Sequence, residues 1–171
     1  MPVMSPFKLL PYLRRTIRDY NFWPASESDS PLKVVARDGV IANEVALKLD
    51  APLRRKAHED DTAYQFPLDR TVTTVSFENT FQTQISTAVA NVQTAKTDYD
   101  TDPTTFPGLE ATVETVELLV QTYAAMKDLA NTRIIEVSTP SEPLVTLIIC
   151  GEWSYNDETI TVALTTLVTR T

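Results

Sequence analysis

Few side chains in this sequence could do chemistry, and their spacing restricts what that chemistry could be. His58 is the only histidine, so a Ser-His-Asp arrangement or a histidine-based metal site would have to use it. Glu59, Asp60 and Asp61 follow and could add oxygen ligands, but a solvated charged loop accounts for the run without a metal. Glu152 and Glu158 flank the last turn of the chain at positions that could face each other across it, and paired carboxylates can hydrolyse glycosides. Acids on a surface hairpin are more commonly plain solubilising charge, and the neighbouring Trp153 reads as a core or interface anchor. Gly39, Gly108 and Gly151 are the only glycines and stand too far apart for a phosphate-cradling loop or a dinucleotide fingerprint. Cys150 is the only cysteine and cannot form an internal disulfide; in the most apolar run of the chain, a small buried thiol is expected. The expectation is a protein with no catalytic centre, no cofactor and no metal.

Two basic clusters are more informative, because the chain as a whole carries a net charge of −8, from 23 acidic and 15 basic residues. One comprises Arg14, Arg15 and Arg18 on a helix near the amino terminus; the other comprises Arg54, Arg55 and Lys56 in a charged stretch. Arginine pairs bidentately with carboxylates and is enriched at protein interfaces, so these six residues are candidates for meeting an acidic surface of a neighbouring subunit. The alternative is a solvated helix face and a charged loop tip. An acidic protein is poorly suited to gripping nucleic acid, so tight binding to it is not expected. No stretch approaches the roughly 18 consecutive apolar residues of a membrane span, no signal peptide is evident, and Asn-x-Ser/Thr sequons are absent. A soluble protein made without a leader follows as an expectation.

The elements that must position these residues centre on residues 144–171. Val145, Leu147 and Ile149 alternate with Thr146, Ile148 and Cys150; after Asn156-Asp157, Ile160, Val162 and Leu164 alternate again. This predicts a closing hairpin whose first strand, apolar on both faces, is central and covered by helices on both sides. The strand over 159–169 carries Ile160, Val162, Leu164, Leu167 and Val168 without lysine or proline. With no element following it, we expect it to pair or pack with a neighbouring chain, which adds Leu164, Leu167 and Trp153 to the interface candidates.

Upstream, a helix beginning at Ser5-Pro6 is expected to be firm over residues 11–20, with Phe22 and Trp23 at its exit and a polar loop over 24–31. Asp38-Gly39 between apolar runs predicts a hairpin of two strands within 32–49, followed by a long charged loop to about residue 70. A strand over 71–77, a helix opened by an Asn79/Gln82 capping box, a breaker over 97–107, a second helix ending near Asn131 and a strand over 133–137 complete the order. The whole reads as a single domain, 1–171, of class α+β: a mostly antiparallel sheet with a carboxyl-terminal hairpin, packed by two or three helices. The 25 threonines favour pleated, half-wetted strands.

This order of elements, closing with a hairpin after GEWSYNDET, resembles the small ring-forming proteins at tailed-phage necks, the tail terminators above all. Two successive helices depart from the simplest terminator plan and leave a head-tail connector, a tail-tube-like protein or another virion component open. The resemblance implies a non-enzymatic ring subunit that joins head to tail around the DNA path. It further implies a homo-oligomer contacting neighbouring virion proteins, soluble in the host cytoplasm before assembly and resident in the virion after it. A capsid decoration or other protein-binding module is the alternative, ahead of a carboxylate-based hydrolase.

Overall fold

The computed structural model describes residues 5–17 and 32–170. Strands β3 (Ala130–Thr139), β4 (Glu142–Tyr155) and β5 (Glu158–Thr169) form an antiparallel meander. Asn156 and Asp157 turn β4 into β5 with φ of 50° and 66°, the left-handed pair that a two-residue hairpin loop requires. Two earlier strands, β1 (Lys33–Asp38) and β2 (Thr71–Val75), complete a five-stranded antiparallel sheet of order β1-β5-β4-β3-β2. The fold is α+β, as expected, with β4 at its centre.

Strand alternation sends the two side-chain sets of β4 to different partners. Val145, Leu147 and Ile149 pack with Leu9 and Leu13 of α1 (Pro6–Ile17), Phe77 and Phe81 of α3 (Phe77–Thr101) and Leu118, Leu119 and Met126 of α4 (Phe106–Met126). On the opposite face, Ile148 and Cys150 pack with Ala46 and Leu49 of α2 (Asn43–Ala57). Each fully buried aliphatic or aromatic side chain in these layers is worth roughly 1.5–3 kcal/mol relative to exposure. Gly151 lets Leu129 close over the sheet; a Cβ there would stand 2.7 Å from the Leu129 Cβ.

Several boundaries differ from the sequence reading. Asp38-Gly39 does not close a hairpin: Gly39, at φ 77°, turns the chain out of β1 and towards α2, and its N–H donates to the carbonyl of Thr159. The segment read as a second strand is helix α2, and the supposed loop begins only after Ala57. Helix α1 starts at Pro6 and runs through Pro11; residues 18–31, which include the expected end of that helix, Phe22-Trp23 and the polar loop, lie outside the described residues. Helix α3 is capped by the Ser76 hydroxyl, which accepts from the Asn79 N–H, while Gln82 donates to Glu78 instead of closing a capping box. The breaker is confined to Asp102 and a short 3-10 turn, Pro103–Thr105, because α3 stays helical to Thr101. The terminal strand is no open edge. β5 is bonded to β4 on one side and to β1 on the other, so an element from much earlier in the chain covers it.

Candidate functional site

The densest group of ionisable side chains sits where α2 crosses β3 and β4. Asp50 and Arg54, one helical turn apart, are both fully buried. The guanidinium of Arg54 donates through Nε and Nη2 to Asp50 at 3.0–3.2 Å, through Nη1 to Glu142 and to the Leu144 carbonyl, and through Nη2 to the Val137 carbonyl. Asp50 also accepts from Arg70 at 2.8 Å and from the Thr146 hydroxyl at 2.7 Å. Burial alone would lower the Arg54 pKa, but its hydrogen bonds and attraction to Asp50 and Glu142 outweigh that and hold it above its ordinary value.

This cluster fastens residues 58–70 onto the sheet. His58 stacks on Tyr64, with ring centroids 3.9 Å apart, and its Nε2 lies 3.5 Å from Glu142. Tyr64 donates to the same carboxylate at 3.4 Å; burial first, then that hydrogen bond, pushes its pKa up to about 12. The guanidiniums of Arg55 and Arg70 lie 4.3 and 4.5 Å over the ring of Phe66. A general base needs a lone pair that substrate can reach. Both oxygens of Asp50 are engaged by its neighbours inside the protein, and Glu142 is shared among Arg54, Tyr64 and His58. The arrangement suits a lock between helix, loop and sheet.

The other expected sites disperse. Glu152 pairs across the hairpin with Thr161, and Glu158 with Tyr155; the three-residue offset between Glu152 and Tyr155 puts the two carboxylates on opposite faces. Glu152 accepts from Asn131 at 3.2 Å and lies 3.8 Å from Arg133, so the paired-acid reading is corrected. Cys150 is buried, and burial pushes its thiol up to about 11. Among the described residues no group of three or more His, Cys, Asp or Glu could hold a metal ion, and no helix is long and apolar enough to cross a membrane.

Of the interface candidates, three lie inside the subunit. Arg54 is held in the lock, and Leu164 and Leu167 are 1% and 3% exposed within the doubly paired β5. They serve the fold of a single chain, which corrects their assignment to an interface. Arg18 lies outside the described residues. Arg14 and Arg15 are exposed on α1, Arg55 and Lys56 are exposed at the end of α2, and Trp153 is half-buried, stacked on the exposed Tyr155.

The sequence predicts two successive helices here, but not that the outer parts of α3 and α4 extend beyond the buried core. Past Ala88, α3 buries no residue, and α4 buries none before Leu118. The outer part of α3, residues 89–101, is about 20 Å long at 1.5 Å per residue. Phe106, Val113 and Val120 stay 50%, 38% and 43% exposed along α4. Their seven-residue spacing was the available signal, since it returns them to one helix face. Comparison with known proteins returns no matching family model, no similar curated protein and no similar solved structure.

Proposed function

We propose that this protein is a non-enzymatic structural subunit that assembles in repeated copies, as a ring component of a tailed-phage neck or tail of the terminator or head-tail connector type. One observation carries the assembly reading: a two-helix arm leaves the sheet with apolar side chains exposed at heptad spacing. A row of exposed apolar side chains along one helix face suits a contact with another protein. The pairing of Arg54 with Asp50 and Glu142 inside the chain supports the same reading, because these charges fasten helix to sheet and are not presented to a substrate. The phage assignment rests on the resemblance in element order, and the net charge of −8 fits a ring through which DNA slides without being held.

Light scattering coupled to size exclusion, with electron microscopy of the same fractions, tests this. The expected result is a uniform closed oligomer of fixed copy number. A protein that stays monomeric at high concentration, or that binds duplex DNA tightly with a steep salt dependence, would overturn the proposal.

A further inference from the structure

The outer part of the α3–α4 arm has a pronounced sign of charge. Between residues 89 and 117 the sequence has six carboxylates against one lysine. On α4, Glu110 and Glu117 fall on the same face as Phe106, Val113 and Val120, since positions 106, 110, 113, 117 and 120 are separated by alternating steps of four and three. Helix α1 presents the opposite pattern. Its exposed positions Phe7, Lys8, Pro11, Arg14 and Arg15 recur on one face, with no acidic residue among them, and Phe7 is 88% exposed. Strand β1, which packs beside α1, places exposed Arg37 and Asp38 near Phe7, one charge of each sign, so the basic character of this face comes from the helix itself. One helix face is thus acidic with apolar side chains interspersed, and the other is basic with apolar side chains interspersed.

We infer that the arm of one copy docks along α1 of the next, its Glu110, Glu114 and Glu117 meeting Lys8, Arg14 and Arg15 while Phe106 and Val113 cover Phe7 and Pro11. The inference rests on the assembly reading above and names the contact that builds the oligomer. The occupant is a second copy of this chain because the two faces complement each other in both charge and apolarity. Each copy then uses two different surfaces, a heterologous contact that propagates head to tail and closes into a ring when the rotation per subunit allows.

Charge reversal in two separate proteins tests this. One carries Arg14→Glu and Arg15→Glu, the other Glu110→Arg and Glu114→Arg; all four positions are exposed, so circular dichroism should show both folded. Each variant alone should assemble with an apparent dissociation constant raised at least ~10-fold, because like charges then face each other at every contact. Mixed one to one, they should assemble again into oligomers of even copy number, since each reversed face finds the other. If both variants assemble as the wild type does, or the mixture fails to recover, the contact is wrong while the assembly reading stands. A wild type that never assembles overturns both.

Discussion

Helix α2 and the outer part of α3 each contain an acid and a base four residues apart, and the two pairs show how little such spacing says by itself. Asp50 and Arg54 meet at 3.0 Å with both side chains wholly buried. Lys96 and Asp100 meet at 3.3 Å with 70% and 60% of their side chains exposed. In the first pair water has been replaced by protein partners, so every lost contact leaves a charge stranded. In the second, water and salt can take over from either partner. The same pattern in sequence is a structural lock in one region and ordinary surface chemistry in the other.

The largest effect should come from breaking the lock. Arg54→Ala leaves Asp50 and Glu142 short of their principal cation and exposes the Val137 and Leu144 carbonyls to an unpaired environment. A loss of about 3–5 kcal/mol in urea unfolding is expected. Arg54→Lys should recover only part of it, since an ammonium cannot reproduce the planar fork. A loss below about 1 kcal/mol for Arg54→Ala would show that the cluster is a bystander.

That lock also explains where sequence reasoning stopped. The hairpin of β4 and β5 was legible because alternation and the Asn156-Asp157 turn speak the same language, and the central place of β4 followed from its two apolar faces. Helix α2 is hidden in the sequence because two of its four buried positions, Asp50 and Arg54, are charged and Pro52 reads as a helix breaker, while Val45, Leu47 and Leu49 alternate like a strand. Hydropathy cannot register a face whose inward side chains are an ion pair. Arg54 stood beside Arg55 and Lys56 as one of three similar cations; only the fold separates the buried one from its exposed neighbours. The terminal strand has no covering element adjacent in sequence and so reads as an interface strand, whereas β1 covers it from residues 33–38.

A smaller effect is expected from Tyr64, which ties the loop to the lock. Tyr64→Phe removes a long hydrogen bond to Glu142 and should cost about 1 kcal/mol or less at neutral pH. Its pH dependence is more telling. The tyrosine ordinarily ionises at 10.0, and in the folded protein at about 12, so the unfolded chain loses this proton first as pH rises. The stability that Tyr64 contributes by staying neutral is complete below pH 10 and is lost as pH climbs towards 12. Stability measured from pH 8 to 11.5 should therefore fall less steeply in Tyr64→Phe than in the wild type. Parallel curves would place Tyr64 outside the lock.

The smallest effect isolates the exposed half of the comparison. Lys96→Ala removes the exposed i,i+4 pair from α3 while leaving its helix propensity nearly unchanged. Stability should move by less than about 0.5 kcal/mol, and the coupling between Lys96→Ala and Asp100→Ala in a double-mutant cycle should vanish in high salt. The matching cycle at Asp50 and Arg54 should keep its coupling under the same salt, because no ion reaches a fully buried pair. If both cycles respond to salt alike, burial is not what separates the two regions. If the Lys96 cycle alone proves large and salt-resistant, the outer arm is covered in solution, and the pair belongs to an interface and not to the surface.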